Sequence, residues 1–238
     1  LAEKVARYIA VSYEEAAAFF PIEKTALTGI PLRTELKQRL EDPFSIIGIP
    51  NDKPLIYVTG GSSGAERLND IILESLTELL PHYRIFHQTG PQLEVVQTTA
   101  QSLLQGTTLS SDYYVADSIP VQTVSALMQA ASVVITRAGS TTLFELAYFG
   151  KPAIIIPIPE DVSRDQRTNA YSYARDGGAI VIEEHNLNPH LLTQEINSIM
   201  NDQQKQAAMS AAAQASFIPD AASKLAAVLI SIGTEHER

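Results

Sequence analysis

Apolar positions fall into short runs that alternate with longer amphipathic segments from residue 54 onward. A strand-sized run that is apolar throughout predicts a strand buried on both faces, whereas helical spacing predicts a helix with one buried side. The predicted strands cover residues 55–58, 84–87, 112–116, 132–136, 153–157 and 179–182. The predicted helices cover residues 65–80, 91–104, 121–131, 140–149 and 164–175, and the pattern stays helical after the last strand.

This alternation predicts the fold class. Buried strands joined by helices form a parallel sheet that is covered on both faces, and their crossovers are right-handed. We therefore expect an α/β chain with a Rossmann-like, doubly wound parallel sheet. In such a sheet ligands bind beyond the carboxyl ends of the strands, so the residues that follow each strand are the candidates for function.

The ends of the chain do not follow this repeat. Residues 5–11 and 27–31 indicate short strands, with a short helix over residues 13–20 between them. Pro43, Pro50 and Pro54 predict a linker over residues 34–53. Residues 219–238 form an amphipathic helix in this interpretation. Because the chain begins at Leu1 within a segment that is predicted to be structured, we expect it to be part of a longer protein.

Composition narrows the functional classes. Hydrophobic residues make up 45% of the chain and charged residues 18%, as in a globular protein with a sizeable core. The formal net charge of −10 argues against a general affinity for nucleic acid and against a polybasic membrane anchor. The absence of cysteine excludes disulfides, thiolate metal sites and a cysteine nucleophile. No apolar run approaches the roughly 20 residues that a membrane-spanning helix needs.

A glycine-rich segment follows the first buried strand. Residues 59–65 have the sequence T-G-G-S-S-G-A and lead into a helix. Glycines let a backbone approach a phosphate closely, and a helix N-terminus offers unpaired N–H groups and the positive end of a dipole. The spacing matches neither a Walker A loop nor a dinucleotide fingerprint. A phosphate-binding loop and a plain tight turn are both open interpretations.

A second turn of this kind follows the fourth strand, with the sequence R-A-G-S-T-T over residues 137–142. Ser140 is the expected N-cap of the next helix. Glu145 falls about one turn into that helix, where a carboxylate can accept both hydroxyls of a ribose. A glutamate on a solvated helix face is the alternative for Glu145.

Polar residues also follow the second and fifth strands. Gln166 and Asn169 lie three residues apart at a helix start, where their amides can bind sugar hydroxyls, although capping by Asp165 is an equal alternative. His87 is more often a structural than a catalytic residue in such a setting. Sites after three strands of one sheet converge on one crevice, and phosphate, ribose and sugar sites together indicate a nucleotide-sugar.

Several motifs resemble those of MurG-type glycosyltransferases. Residues 59–69 are similar to that family's G-G-S-x-G-A-x-x-L-N, and residues 87–90 match its H-Q-T-G. Residues 137–152 match R-A-G-x-x-T-x-x-E-L-A-x-x-G-K-P, and residues 166–170 match Q-x-x-N-A. Residues 28–33 resemble the passage T-G-N-P-V-R between the family's two domains. The motifs occur in the family's order along nearly the whole chain.

The resemblance implies a GT-B fold and an activity. The family transfers GlcNAc from UDP-GlcNAc to a lipid-linked muramyl-pentapeptide in peptidoglycan synthesis, with inversion and without a metal or other cofactor. It works in the cytoplasm, peripherally on the inner face of the cell membrane. The implied domains are a remnant of the N-terminal acceptor domain over residues 1–33, the linker, a donor-binding domain over residues 54–218 and the final helix returning toward the N-terminal domain.

The resemblance also implies roles by position. Ser62 and the Gly60–Gly61 backbone would contact the diphosphate, Arg33 would reach it from the hinge, and Val115 would offer its backbone to the uracil. Glu145 would hold the ribose, while Asp165 and Gln166 would bind the GlcNAc hydroxyls. The whole predicted donor set is Arg33, Gly60, Gly61, Ser62, Gly64, Val115, Arg137, Gly139, Ser140, Thr141, Glu145, Asp165, Gln166 and Asn169.

Three parts of the expected function are not assigned to residues of this chain. The catalytic base, the contact with the lipid-linked acceptor and the membrane contact are expected in the rest of the N-terminal domain. The alternatives are a donor-binding subunit of a split transferase, another GT-B enzyme such as a UDP-GlcNAc epimerase or a glycolipid transferase, and a nucleotide-sensing module without activity.

Overall fold

The computed structural model describes residues 5–61 and 65–236, without the side chains of residues 164, 165, 235 and 236. The chain divides into two compact units. Unit 1 combines the two ends of the chain, residues 1–33 and 217–238, and unit 2 comprises residues 34–216.

Unit 2 is built on a six-stranded, entirely parallel sheet with the strand order β5-β4-β3-β6-β7-β8. Its strands are β3 (Leu55–Thr59), β4 (Arg84–Gln88), β5 (Tyr113–Ala116), β6 (Val133–Thr136), β7 (Ala153–Ile155) and β8 (Ala179–Val181). Every residue of β3, β6 and β7 is buried. The predicted doubly wound α/β sheet is confirmed, because strands apolar on both faces must be covered on both sides.

Helices cover the two faces of this sheet. They are α3 (Glu66–Leu79), α4 (Leu93–Leu103), α5 (Val121–Ala130), α6 (Ser140–Phe149), α7 (Arg164–Arg175), α8 (Pro189–Met200) and α9 (Gln203–Ala215). Contacts join α3 to α4 and α8, and join α6 to α5, α7 and α9. Right-handed crossovers that leave the middle of the sheet in opposite directions place α3 and α6 on opposite faces.

Residues 34–53 belong to unit 2, so the prediction of a linker is wrong. They contain the short helix α2 (Pro43–Ile47), which packs on α5. Pro43 occupies the first turn, where its missing N–H costs nothing, and the Asp42 carboxylate caps the Ser45 N–H at 3.1 Å. Leu36 is completely buried. The prolines that suggested a linker instead start a packed helix.

A cluster of charges fixes the end of this segment to the amino ends of the strands. Lys53 Nζ lies 2.6 Å from one carboxylate oxygen of Asp112, and Arg84 Nε lies 3.0 Å from the other. Arg84 also pairs with Asp52 and donates to the Pro50 carbonyl at 2.9 Å. Asp112 and Arg84 are both buried, and this pairing compensates their charges.

Unit 1 contains a two-stranded parallel sheet of β1 (Ile9–Val11) and β2 (Thr25–Leu27), with α1 (Glu14–Ala17) between the strands. The strands are shorter than expected, and the second begins earlier in the chain. The final helix, α10 (Ala221–His236), belongs to this unit and exposes Leu229 and Ile230 over about two thirds of their surface. No helix among the described residues is long and apolar enough to cross a membrane.

Candidate functional site

The order of strands in unit 2 creates a switch point between β3 and β6. The chain leaves β3 toward β4 on one side and leaves β6 toward β7 on the other. In doubly wound sheets the crevice beyond the carboxyl ends of such a strand pair binds ligands. The segments that follow β3 and β6 are the two that the sequence singled out for phosphate and ribose.

The segment after β3 begins with Gly60 and Gly61. Gly61 has a φ of 76°, a left-handed conformation that favours glycine, and its N–H donates to Thr59 Oγ1 at 3.2 Å. Ala65 is the N-cap of α3 and provides no side-chain cap. Helix α3 therefore presents N–H groups of its first turn toward this segment, as an anion site requires. Ser62 and Gly64 lie outside the described residues, so their assignment stays a prediction.

The start of α6 differs from the prediction by one residue. Gly139 is the N-cap, with φ −65° and ψ 130°, and Ser140 is already helical, so the assignment of Ser140 as N-cap is wrong. Gly139 has no side chain with which to cap the helix. The first-turn N–H groups of residues 140–142 are consequently not capped by their own N-cap residue. Thr141 is exposed in this turn.

Glu145 lies on the second turn of α6 and is only 7% exposed, which excludes a solvated helix face. Its charge acts on Tyr57 in β3. Burial raises the pKa of the Tyr57 hydroxyl, and the negative charge of Glu145 adds to this rise against a lowering hydrogen bond with Thr59. Tyr57 is the middle residue of β3, one of the two strands that form the switch point.

The amides of α7 face the same region. The Asn169 amide donates to the Ser140 hydroxyl at 3.2 Å, which joins the starts of α6 and α7. Gln166 Oε1 accepts a hydrogen bond from the Ile158 N–H at 3.4 Å in the segment after β7. The side chain of Asp165 lies outside the described residues, and Ser163 rather than Asp165 is the N-cap of α7.

Arg137 makes its contacts with protein groups. Its guanidinium is buried, donates to the carbonyls of Ile156 and Pro157 at 3.3 and 3.4 Å, and pairs with the Glu184 carboxylate. It thus connects the ends of β6 and β7 with the segment after β8. Among the described residues, its Nε has no hydrogen-bond partner.

A groove of about 630 Å³ opens at the carboxyl ends of the strands. One wall is the start of α3, including Ala65 and Arg67, and the opposite wall is the segment after β7, including Ile158 and Pro159. Arg137 and Glu184 line it as well. Glu66 and Asp70 also line the groove, so it combines apolar surface with side chains of both charges.

His87 is structural. Both ring nitrogens are bonded within the core, Nδ1 to the Tyr113 hydroxyl at 2.8 Å and Nε2 to Asn69 Oδ1 at 2.9 Å. The Asn69 amide donates to the Thr89 carbonyl and to Gln92 Oε1, so its oxygen must accept from His87 Nε2. Burial lowers the pKa of His87 to about 3 and keeps the ring neutral. The L-N and H-Q-T-G motifs thus lock α3 to the end of β4.

Val115, another predicted residue, lies apart from this cluster. Val115 lies within β5 at the edge of the sheet, where it lines a small cavity of about 210 Å³ beside α4. Arg33 is exposed and belongs to unit 1. Their contacts with uracil and diphosphate stay predictions. Within the described parts of the chain, no group of three or more histidine, aspartate or glutamate side chains has a metal-binding arrangement.

The sequence interpretation missed Glu183 and Glu184. They follow β8, and they hold Arg167 and Arg137 respectively. The rule that functional residues follow strand ends applies to β8 as it does to β3, β6 and β7, so the signal was present. It was not recognised because two adjacent glutamates resemble a solvated surface segment.

Comparisons with known proteins assign the chain to a family. Residues 55–225 match the glycosyltransferase family 28 C-terminal domain. The UDP-N-acetylglucosamine--N-acetylmuramyl-(pentapeptide) pyrophosphoryl-undecaprenol N-acetylglucosamine transferase of Shouchella clausii is 36% identical over 86% of this chain and 55% of that protein. The Geobacter sulfurreducens protein of the same name is 34% identical over 98% of this chain and 63% of its own length. The chain thus spans just over half the length of these relatives.

Solved structures agree on the fold. The crystal structure of Acinetobacter baumannii MurG matches with a TM-score of 0.73 and 24% identity, over 96% of this chain and 62% of that one. A putative UDP-N-acetylglucosamine 2-epimerase from Listeria monocytogenes matches with a TM-score of 0.64 and 14% identity, over 92% of this chain and 56% of that one. At these identities the structures establish a shared fold. With most of unit 2 matched by one family model, the chain belongs to glycosyltransferase family 28 through its C-terminal domain.

Proposed function

We propose that this chain binds UDP-GlcNAc as the donor half of a transferase that delivers GlcNAc to a lipid-linked muramyl-pentapeptide in peptidoglycan synthesis. The proposal is carried by the buried Glu145 carboxylate on α6, which follows β6 at the switch point, where the N-cap residues of α3 and α6 provide no side-chain cap. The names of the relatives from Shouchella and Geobacter give the sugar and the acceptor.

In this proposal each part of the donor has its own partners. The N–H groups at the starts of α3 and α6 take the diphosphate, and Glu145 accepts the ribose hydroxyls. Gln166 and Asn169 exchange their present partners, the Ile158 N–H and the Ser140 hydroxyl, for hydroxyls of the sugar. Arg33, Val115 and Asp165 would complete the site at the diphosphate, the uracil and the GlcNAc.

The proposed reaction is an inverting displacement without a metal or other cofactor. The leaving UDP gains negative charge as its bond to GlcNAc breaks, and preorganised N–H groups stabilise such charge. A base must also deprotonate the acceptor hydroxyl. We place this base, the acceptor site and a peripheral contact with the inner face of the cytoplasmic membrane in the part of the relatives that this chain does not match.

Calorimetric titration tests the proposal. UDP and UDP-GlcNAc are expected to bind the 238-residue chain, and UDP-GlcNAc is expected to bind more tightly than UDP-glucose. We expect little or no transfer to the lipid acceptor by this chain alone. Failure of a folded sample to bind any uridine nucleotide, or efficient transfer by the isolated chain, would contradict the proposal.

The second candidate function is that of another GT-B enzyme, such as a UDP-GlcNAc epimerase. The observation behind it is the fold that the chain shares with the putative epimerase from Listeria. Incubation of UDP-GlcNAc with this chain and a complete acceptor half separates the candidates. A GlcNAc-lipid product supports the transferase, whereas UDP-ManNAc supports the epimerase. Donor binding without any product would indicate a sensing module.

A further inference from the structure

We infer that Glu183 is a positioning residue that holds helix α7 in the rotation needed for recognition of the donor's sugar, while recognition of its nucleotide does not depend on it. This inference rests on the proposed function, because it assigns Gln166 and Asn169 to the sugar. It concerns a residue that lies after β8 and that no motif of the sequence singled out.

Glu183 is held in position by the residues at the end of β8. Strand β8 is continued by the Ile182 N–H, which donates to the Ile155 carbonyl at 3.0 Å and keeps the chain in the sheet up to the residue before Glu183. The Glu183 side chain is only 17% exposed. Its carboxylate is therefore attached to the rigid sheet through its backbone and not to a free loop.

Glu183 contacts helix α7 at two residues. Glu183 Oε1 accepts from Arg167 Nε at 2.7 Å and from the Tyr171 hydroxyl at 2.8 Å. These two residues are one turn apart on the helix, and the Arg167 guanidinium also lies 5.4 Å from the centre of the Tyr171 ring. Burial acts to raise the pKa of Glu183, but the hydrogen bonds from both residues outweigh it and lower that pKa.

The contacts of Arg167 and Tyr171 with Glu183 orient helix α7. Arg167 and Tyr171 bond the same carboxylate oxygen from one side of the helix, so the two contacts together restrain both the rotation and the tilt of α7 relative to β8. At about 100° per residue, Gln166 lies about 100° around the helix from Arg167, and Asn169 lies on the side roughly opposite Arg167 and Tyr171, so both amides move with the helix when it rotates. Fixing Arg167 and Tyr171 therefore fixes the direction of both amides toward Ile158 and Ser140.

Arg167 extends the contact to the wall of the groove. Its Nη1 donates to Glu160 Oε1 at 2.9 Å in the segment after β7, which also contributes Ile158 and Pro159 to the groove. Glu160 is 61% exposed, so this pair is solvated and weaker than the one with Glu183. Glu183 is the main anchor and Glu160 the secondary one.

The experiment compares the affinity for UDP-GlcNAc with the affinity for UDP in variants of the full 238-residue chain. In Glu183→Gln the affinity for UDP-GlcNAc is expected to fall about tenfold, the equivalent of about one well-placed hydrogen bond, while the affinity for UDP stays within about twofold. Arg167→Met is expected to match it, and the double variant is expected to be no weaker than either single one. Glu195→Gln, a half-buried glutamate on α8, is the matched control.

The outcomes separate the inference from the proposed function. Equal losses for UDP and UDP-GlcNAc, or no loss for either, would overturn the positioning role. A wild-type chain that binds no uridine nucleotide would overturn the proposed function instead. In that case NMR of the ligand-free protein still tests the positioning role. The side-chain amide signals of Gln166 and Asn169 are expected to shift in Glu183→Gln and not in Glu195→Gln. Unshifted signals would contradict it.

Discussion

At the scale of single residues, Glu145 combines burial with a negative charge. Glu145 is only 7% exposed on α6, and in the proposed function its carboxylate accepts the ribose hydroxyls of the donor. Besides burial, which raises the pKa of the Tyr57 hydroxyl in β3, the negative charge of Glu145 adds to this rise.

Substitution of Glu145 tests this partnership. Glu145→Gln is expected to weaken UDP binding by about 10- to 100-fold, because hydrogen bonds to a charged group contribute about 1.5–3 kcal/mol. Calorimetry should also show that a UDP analogue without both ribose hydroxyls binds the wild type and the variant alike. The exposed Glu74 on α3 offers a control in Glu74→Gln. Unchanged UDP affinity in Glu145→Gln would refute the ribose contact.

His87 makes stability depend on pH. Its pKa is about 3 in the folded chain against 6.5 for the free side chain, so the unfolded chain binds more protons between these values. Stability from this group is complete above pH 6.5 and is lost as the pH falls toward 3. This one group should lower the free energy of unfolding by about 1.4 kcal/mol between pH 7.5 and pH 5.5.

Urea unfolding of the wild type and of His87→Gln measures this contribution. The free energy of unfolding should fall less between pH 7.5 and pH 5.5 in His87→Gln than in the wild type, by about 1.4 kcal/mol. This difference does not depend on the absolute stability of the variant. His82→Gln removes an exposed histidine and should leave the decrease unchanged. An equal decrease in the wild type and His87→Gln would count against a buried neutral ring.

At the scale of secondary-structure elements, the packing of β8 against α9 depends on a glycine. A Cβ atom on Gly178 would lie 2.9 Å from Ala213 Cα and 3.0 Å from Ala213 N, both backbone atoms. Neither can move without displacing α9 from the sheet. The start of β8, and with it the segment that carries Glu183, is held at this distance from the helix.

Gly178→Ala is therefore expected to destabilise unit 2 by about 1–3 kcal/mol, the range for overpacking. Gly233→Ala serves as a contrast, because nothing lies within 4 Å of its added Cβ in the exposed helix α10. Alanine should stabilise that helix by up to about 1 kcal/mol. Thermal unfolding should show a lower midpoint temperature for Gly178→Ala and an unchanged or higher one for Gly233→Ala. An unchanged midpoint in Gly178→Ala would disprove the close approach of Gly178 to α9.

At the scale of the whole molecule, opposite ends of the sheet have opposite roles. The amino ends carry the Lys53, Arg84 and Asp112 cluster, whose charges compensate each other. The carboxyl ends carry helix N-termini without side-chain caps and the groove lined by Arg137. In the proposed function, the charges at the amino ends stabilise the fold, and the N–H groups at the carboxyl ends bind the diphosphate.

Hydrogen exchange with and without UDP tests this division. Protection is expected over the segments after β3 and β6 and at the start of α6, because the ligand is proposed to bond their N–H groups. The amino ends around Lys53 and Asp112 should exchange at the same rate in both samples. Protection confined to those amino ends would place the nucleotide at the wrong end of the sheet for this proposal.

Much of the fold was predictable from the sequence because the signals are local. Strands apolar on both faces, with amphipathic helices between them, predict a parallel sheet covered by helices, because such a sheet buries both patterns. The glycine-rich segment, Glu145 and the α7 amides could be assigned to one crevice for the same reason, because parallel strands bring their carboxyl ends together.

Contacts between residues distant in sequence were decided only by the tertiary structure. Pro43 starts a helix and does not mark a linker, because α5 offers α2 a surface on which to pack. The Glu183–Arg167 contact exists because α7 packs beside β8, and the burial of Glu145 likewise depends on neighbours in the folded chain. Periodicity determines which elements form, whereas burial and charge pairing depend on neighbours that only the folded chain supplies.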